Sequence, residues 1–158
     1  MRIRKGQGSR VKGQVRIINL HKAYKVNEPL VRKIAAYILK CCEKETEAEL
    51  ELVFLDNKQI RPLNKKYKGE DRPTDVLSFD LGGMGEIFIS IDKALANSKI
   101  FKTALEEEFT LYIIHGILHL IGYDDETSRE RARMERKQKK ILRFLCKREN
   151  LSKVLTPR

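Results

Sequence analysis

Hydrophobic residues recur along the chain with two different spacings. The segment from Val15 to Leu20 alternates between apolar and polar positions, a pattern typical of a half-buried strand. Three further short apolar segments, at residues 50–55, 76–79 and 86–91, are also predicted to be strands. The chain therefore contains several short strands separated by longer segments.

Apolar positions three or four residues apart predict helices in those longer segments. The residues Leu30, Ile34 and Ile38 mark one face of a helix over residues 27–43. Asn27 is suited to cap that helix at its N-terminus. Capping residues predict three more helices: one after the capping box of Asp56 and Gln59, one from Asp92 to about Lys99, and one from the capping box of Thr103 and Glu106 to Ile121. A last, basic helix is predicted from about Glu126 to Arg148.

The order of these elements indicates the fold class. Strands and helices are mixed without a strict βαβ order, so we expect an α+β fold with a small mixed β-sheet packed by about five helices. A length of 158 residues is that of one layered domain. That domain is predicted to span residues 14–150, with a basic flexible arm at 1–13 and a C-terminal tail at 151–158.

A membrane-spanning or secreted protein is not expected. The longest apolar run, Leu111 to Ile121, is shorter than the roughly 20 residues that span a bilayer. No apolar stretch of signal-peptide length follows the basic N-terminus. The three cysteines form no CxxC pair, and Cys41 and Cys42 are adjacent, so we expect a reduced, cytoplasmic protein without disulfides.

Positive charge is concentrated in two segments. The chain has 33 lysines and arginines against 22 acidic residues, a formal net charge of +11. Residues 1–16 hold six basic residues and no acid, and residues 129–148 hold ten basic residues with only Glu130 and Glu135. Two such segments favour a partner with a phosphate backbone. The alternative is a solvated helix face and a frayed terminus.

Two of the three histidines, His115 and His119, lie four residues apart in the most apolar segment. This spacing stacks both imidazoles on one face of a helix, as a metal ion requires. The helix is apolar on every side from Leu111 onward, which predicts a metal site on a buried central helix. Position 116 is glycine where the HExxH motif of metalloproteases has its general-base glutamate. The chain therefore lacks the general base that this type of peptide hydrolysis requires.

The residues after this helix can complete the metal site. Gly122 ends the helix, and the chain turns back through Asp124 and Asp125. Either aspartate can return a carboxylate to the histidines, and either can instead cap the helix that follows. Two imidazoles and one carboxylate form a catalytic zinc set that leaves a position for water.

Three motifs resemble those of the YbeY family of bacterial rRNA maturation endoribonucleases. The sequence HGILHLIGYDD, residues 115–125, is similar to the family's HGxLHLxGYDH. The sequence YKGEDRPTDVLSF, residues 67–79, is similar to YRGKDKPTDVLSF, and GEIFISIDKA, residues 85–94, resembles the strand and helix that follow. The resemblance implies a single α+β domain, one zinc ion per chain, and a role in rRNA processing and ribosome quality control.

The resemblance also assigns individual residues. It places His115 and His119 on the first two metal ligands, and Asp125 on the third, which is normally histidine. An oxygen ligand leaves another divalent metal open as well as zinc. Lys68 falls on an arginine implicated in RNA cleavage, and Glu108 falls on a glutamate of the family. That glutamate either orients a histidine or serves the helix N-terminus.

The leading hypothesis is a single-strand-specific, metal-dependent endoribonuclease that acts in rRNA maturation. Lys68 and Arg72 are expected to neutralise charge on the scissile phosphate. Ser78 either binds a phosphate oxygen or is structural, and Asp75 could simply bond local backbone amides. The expected partners are rRNA and ribosomal particles, with no membrane, and the oligomeric state is left open. The alternatives are a non-catalytic RNA-binding assembly factor with a structural metal, and a metal hydrolase of another substrate such as peptide.

Overall fold

The structure, a computed structural model, describes residues 2–4, 14–42 and 49–158. These ranges contain five α-helices: α1 Glu28–Cys41, α2 Asn57–Lys68, α3 Ile91–Phe101, α4 Leu105–Leu120 and α5 Ser128–Arg148. They also contain seven strands: β1 Arg2–Arg4, β2 Val15–Asn19, β3 Tyr24–Val26, β4 Glu49–Leu55, β5 Val76–Asp80, β6 Met84–Ser90 and β7 Leu155–Pro157. The predicted α+β fold is confirmed. None of the described helices combines the length and hydrophobicity needed to cross a lipid bilayer.

Five of the strands form one mixed sheet in the order β1-β5-β6-β4-β2. Strands β5 and β6 are antiparallel, and the other neighbours are parallel. Alternate side chains of the sheet enter two hydrophobic clusters, because successive residues of a strand face opposite sides. The smaller cluster joins Val53, Leu55, Leu77 and Phe79 to Ile60 of α2. The larger cluster contains residues of α1, α3, α4 and α5, so most of the core lies on that side of the sheet.

The two ends of the chain contribute strands that the hydrophobic pattern did not indicate. Strand β1 lies within the segment predicted as a basic arm and pairs with Ser78–Asp80 of β5. Residues 5–13 of that segment lie outside the described residues, so the flexible arm stays a prediction. At the other end, β7 pairs with β3 in a separate two-stranded antiparallel sheet. Val154 and Leu155, from the segment predicted as a tail, are buried in the larger cluster.

The predicted capping residues are correct for α1 and α2 and wrong for α3 and α4. Asn27 caps α1, and Asp56 and Gln59 form the expected capping box of α2. Helix α3 is capped by Ser90, two residues before the expected Asp92. Asp92 instead accepts hydrogen bonds from His21 and from the backbone of Asn57, which are distant in sequence. Helix α4 begins after Ala104 without a side-chain cap, because the hydroxyl of Thr103 donates to Glu108 (2.9 Å) instead.

Helix α4 lies at the centre of the larger cluster, as its apolar sequence predicts. The helix packs against α1, α3, α5 and the sheet. The helix lies close to the sheet at Gly116, where an added Cβ would lie 2.6 Å from Cγ2 of Ile87 and 3.1 Å from Cγ1 of Val76. The absence of a side chain at this position therefore sets the distance between the helix and the sheet.

We expect Gly116→Ala to destabilise the fold by about 1–3 kcal/mol, because the new methyl group overpacks the core against Ile87. Urea unfolding of the variant would measure the loss. Combining it with Ile87→Ala should cost less than the sum of the two single changes, because the clashing methyl group is then absent. Additive costs in this double-mutant cycle would contradict the proposed contact.

Candidate metal centre

Helix α4 brings the two histidines of the predicted motif together. Their Nε2 atoms lie 3.0 Å apart, and their rings are 4.5 Å apart between centroids with an angle of 82° between the planes. His119 is buried, whereas 27% of the His115 side chain is exposed. One turn of helix thus presents two nitrogen donors to a common point near the protein surface.

The turn after α4 supplies a third donor. Gly122 has φ +108°, a left-handed conformation that L side chains rarely adopt. Its amide donates to the carbonyl of His119, and the amide of Tyr123 donates to the carbonyl of Leu118, which together form a Schellman motif. The chain then reverses, and Oδ2 of Asp125 lies 3.5 Å from Nε2 of His119.

Asp125, and not Asp124, faces the histidines in the structure. Its Oδ2 is 3.9 Å from Nε2 of His115, and the three donor atoms lie within 4.8 Å of one another. Asp124 is exposed and does not belong to this group. The third histidine, His21, is not part of this group and is hydrogen-bonded to Asp92 instead, with 2.8 Å between His21 Nε2 and Asp92 Oδ1.

The spacing of the three donors fits a divalent metal ion. Metal–ligand bonds of 2.0–2.1 Å in a tetrahedron place neighbouring ligand atoms about 3.3 Å apart. The observed separations are 3.0, 3.5 and 3.9 Å, so a small adjustment of Asp125 would complete the geometry. Within the part of the chain that the structure describes, the group contains only these three side chains. Asp125 is 39% exposed, so the centre is open to solvent on its side.

The electrostatic environment favours a neutral imidazole at His119. Burial, followed by the neighbouring His115, lowers the pKa of His119 from 6.5 to about 4. Asp125 and Asp124 oppose this shift without reversing it. At neutral pH, His119 is therefore a neutral imidazole, the protonation state that can bind a metal, and Asp125 supplies a carboxylate.

The first turns of α5 hold the backbone that carries Asp125. Nη1 of Arg131 donates to the carbonyl oxygens of Asp125 (3.1 Å) and Glu126 (3.0 Å). Glu130 forms a capping box with Thr127 and also accepts from the amide of Glu126 (3.1 Å). These contacts were not predicted, because the sequence does not show that α5 returns to the metal centre.

Gln138 is a further residue of the centre that sequence reasoning missed. It lies on the buried face of α5, and its Oε1 is 2.5 Å from Nδ1 of His115. A signal for it exists in the sequence. Met134, Ile141 and Leu145 follow the spacing of a buried helix face, and Gln138 is a polar residue at a core position of that pattern.

The predicted phosphate-binding residues lie in and before the loop between α2 and β5. Lys68 is half-buried at the last position of α2, and Gly69 follows in a left-handed conformation with φ +73°. Arg72 is exposed and forms an ion pair with Glu70, with 2.9 Å between Nη2 and Oε2. The loop lines a polar cleft of about 200 Å³, which is formed by Glu70, Arg72, Pro73, Thr74, Asp75, Lys93 and Asn97.

The remaining candidate residues make internal hydrogen bonds. The hydroxyl of Ser78 is buried and donates to the carbonyl of Gly116 (3.0 Å), which ties β5 to α4. Asp75 accepts from the amide of Val76 (2.8 Å), as the structural alternative for this residue expects. Glu108 accepts from Thr103 near the N-terminus of α4, and the partner of His115 is Gln138 instead.

The fold and the site together define a class of protein. A buried helix and the turn after it present two imidazoles and a carboxylate around an open position, which is the ligand arrangement of metal-dependent hydrolases. A family model described as Endoribonuclease YbeY matches residues 16–146. The chain belongs to the YbeY endoribonuclease family, and the resemblance inferred from its motifs is confirmed.

Individual relatives cover most of the chain. A protein of Neorickettsia sennetsu named Endoribonuclease YbeY is 38% identical over 115 residues, which are 68% of this chain and 80% of that protein. Its namesake in Clostridioides difficile is 36% identical over 135 residues, which are 76% and 88% of the two chains. A solution structure of a Thermotoga maritima protein superimposes with a TM-score of 0.61 at 30% identity, covering 82% of this chain and 87% of that one.

Proposed function

We propose that this protein is a zinc-dependent endoribonuclease that cleaves single-stranded regions of ribosomal RNA during maturation and quality control of the ribosome. The observation that carries the proposal is the convergence of three metal-donor atoms at an open site in a member of the YbeY family. Two imidazoles and a carboxylate suit zinc among the common divalent metals.

In this proposal His115, His119 and Asp125 hold the metal. When bound, the metal supplies a water of lowered pKa and polarises a phosphoryl oxygen. Asp125 is the anionic member of the set, and its partly exposed side chain leaves the approach to the centre open. The backbone contacts of Arg131 keep the carboxylate in position before substrate arrives.

Lys68 and Arg72 are proposed to bind the scissile phosphate. Both are cationic and belong to the segment that joins α2 to β5. Arg72 is paired with Glu70 in the free protein, but an exposed ion pair of this kind contributes at most about 1 kcal/mol. A phosphate group can therefore replace Glu70 as its partner at little cost, and the planar guanidinium can bind it through two hydrogen bonds.

Two features favour this function over the alternatives. A structural metal is enclosed by four protein ligands, whereas this centre has three in the described part of the chain and is exposed at Asp125. Peptide hydrolysis of the HExxH type requires a glutamate at position 116. Even a methyl group there would collide with Ile87, so helix α4 cannot carry that base without moving away from the sheet.

The proposed partners are rRNA and ribosomal particles, bound through the basic face of α5. The exposed basic residues of this helix are Arg129, Arg131, Arg133, Arg136, Lys139, Lys140, Arg143, Lys147 and Arg148. Such a row of cations gains affinity by releasing the counterions of a phosphate backbone. A cytoplasmic location is part of the same proposal, because ribosomes are assembled there.

We expect Lys139→Gln with Lys140→Gln to weaken RNA binding by this mechanism. Each lost phosphate contact should reduce the slope of log affinity against log salt concentration by about 0.7 for single-stranded RNA. Fluorescence anisotropy at several salt concentrations would measure it. Glu135→Gln, a charge change on the same helix, should not reduce the slope. An unchanged slope in the double variant would mean that this part of α5 does not contact phosphate.

Ser78→Ala distinguishes the two roles considered for that residue. We expect it to lower stability by about 1 kcal/mol, because a buried hydrogen bond between β5 and α4 is lost. RNA cleavage should persist, since the hydroxyl already donates to the carbonyl of Gly116. Thermal unfolding and a cleavage assay on the same preparation would measure both effects. A large loss of cleavage with unchanged stability would instead assign Ser78 to substrate binding.

The function itself is tested by metal analysis and a cleavage assay on single-stranded and duplex fragments of rRNA. We expect one zinc ion per chain, cleavage of the single-stranded fragment, loss of cleavage after chelation and recovery when zinc is returned. Binding without cleavage by the zinc-loaded protein would favour an assembly factor. Cleavage of peptides with no affinity for RNA would favour a hydrolase of another substrate.

A further inference from the structure

The buried face of α5 contains one residue whose chemistry does not suit a hydrophobic core. Within this fully described helix, the buried residues are Met134, Gln138, Ile141 and Leu145. Burying a carboxamide among such neighbours costs free energy unless its polar atoms form hydrogen bonds. The side chain of Gln138 is 9% exposed and meets His115, so its contact with the imidazole provides a reason for its presence.

The contact determines which nitrogen of His115 carries a proton. The Oε1 atom of Gln138 can only accept a hydrogen bond, so Nδ1 of His115 must be the donor. In a neutral imidazole the other nitrogen, Nε2, then has a free lone pair. Nε2 of His119 lies 3.0 Å from Nε2 of His115. In the metal-free protein, Nε2 of His119 is therefore the donor and the lone pair on Nε2 of His115 is the acceptor. The Nε2 atom of His115 is thus held in the form that a metal ion requires.

We propose that Gln138 is the positioning residue of the metal centre, which selects the Nδ1–H tautomer of His115 and orients its ring toward the metal. This inference rests on the proposed function only in that His115 is taken to be a metal ligand. Ligating histidines commonly donate their second ring nitrogen to such an acceptor. Here the acceptor is provided by a helix from the C-terminal part of the chain, outside the motif that contains the ligands.

A carboxamide rather than a carboxylate suits the charge of this centre. The carboxylate of Asp125 already contributes a negative charge to the group of donor atoms. A glutamate at position 138 would bury a second negative charge behind His115, at a cost in the metal-free protein. Glutamine provides the same acceptor atom without that charge. The role therefore depends on the acceptor oxygen of Gln138, and this property can be varied separately from side-chain length.

Two substitutions of Gln138, with side chains of nearly equal length, test the role of the acceptor oxygen separately from the role of side-chain packing. Gln138→Met retains an unbranched side chain on the buried face and removes the acceptor. Gln138→Glu retains an acceptor oxygen. We expect Gln138→Met to weaken zinc binding by about 10–100-fold, the usual effect of losing such a partner of a ligand. We expect Gln138→Glu to bind zinc at least as tightly as the unmodified protein. Competition with a chromophoric chelator would measure both affinities.

A second measurement needs neither metal nor RNA. Nitrogen-15 NMR of the metal-free protein reports the tautomer of each histidine. His115 should be in the Nδ1–H form in the unmodified protein and in Gln138→Glu, and should become a mixture of tautomers in Gln138→Met. His21 serves as an internal reference, because its Nδ1 accepts from the amide of Ala23 and its Nε2 is hydrogen-bonded to Asp92, so neither nitrogen is paired with Gln138.

Met134→Ala is the matched control for packing. Met134 is buried one turn before Gln138 on the same helix, so its truncation loosens α5 without removing the acceptor. It should lower the melting temperature and leave the zinc affinity and the His115 tautomer unchanged. Equal losses of zinc affinity in Met134→Ala and Gln138→Met would overturn the proposal, as would an unchanged tautomer in Gln138→Met. If the unmodified protein binds no zinc, the proposed function fails, while the NMR comparison still decides the role of Gln138.

Discussion

Replacing His119 by alanine is expected to abolish metal binding and RNA cleavage together. His119 is the most buried of the three proposed ligands, and its Nε2 lies within 3.5 Å of both other donor atoms. Without it, His115 and Asp125 are left as a two-ligand site that is open to water. We expect zinc affinity to fall by more than about 100-fold, beyond the effect of losing an indirect partner. Metal analysis and the cleavage assay would measure the two losses in one preparation.

His21→Ala is the control for this experiment. His21 is also buried, but both of its ring nitrogens are engaged, with Asp92 and with the amide of Ala23. Its removal should lower stability, because Asp92 and the amide of Ala23 lose their partner, and should leave the zinc content unchanged. Full zinc occupancy in His119→Ala would contradict the proposed ligand set.

The stability of the metal-free protein gives a second test of the role of His119. Its Nδ1 is buried without a hydrogen-bond partner in the described part of the structure, and burial disfavours its protonation. The cost of this unpaired nitrogen offsets the hydrogen bond between Nε2 of His119 and Nε2 of His115, so the side chain contributes little net stability without a metal. We therefore expect metal-free His119→Leu to be at least as stable as the metal-free parent protein in urea. A structural histidine would give the opposite result.

Local sequence patterns predicted most of the fold and the histidine pair, but they left the choice between Asp124 and Asp125 open, and only the family resemblance assigned Asp125. The capping box of Asp56 and Gln59 acts within four residues, so it could be recognised without knowledge of the rest of the chain. The histidine pair is equally local, because residues four apart always share a helix face. The helix end at Gly122 was also predictable, since a left-handed residue after a helix is usually glycine.

The features that were missed depend on contacts between distant segments. Gln138 meets a residue 23 positions earlier, and no local pattern relates the two. Strands β3 and β7 are three residues each and lie far apart in the sequence. Asp92 was wrongly predicted as a helix cap, because its hydrogen bonds to His21 and Asn57 replace the local one. In each case, a hydrogen bond or a strand pairing with a distant segment selected one of the local structures that the sequence allows.

Asp125→Asn is expected to cause the second largest loss of zinc affinity, after His119→Ala. The substitution keeps the size of the side chain and removes its negative charge, and an amide oxygen is a weaker ligand than a carboxylate. Zinc binding should weaken markedly, while the backbone contacts of Arg131 to this turn remain. Asp124→Asn is the matched control, because Asp124 is the exposed neighbour of Asp125 and its substitution changes the net charge by the same amount. Chelator competition on both variants would show whether the effect belongs to position 125.

Asp125→His should keep the metal, because imidazole nitrogen is itself a common zinc ligand. The imidazole is longer than the carboxylate. Arg131 and the turn at Gly122 hold the backbone of residue 125 at a distance from the histidines that fits the shorter aspartate side chain. We therefore expect zinc affinity below that of the parent protein and above that of Asp125→Asn. A third neutral ligand also leaves more positive charge on the metal, so cleavage should reach its maximum at lower pH than in the parent. Loss of zinc in Asp124→Asn, with retention in Asp125→Asn, would show that the turn presents the other aspartate in solution.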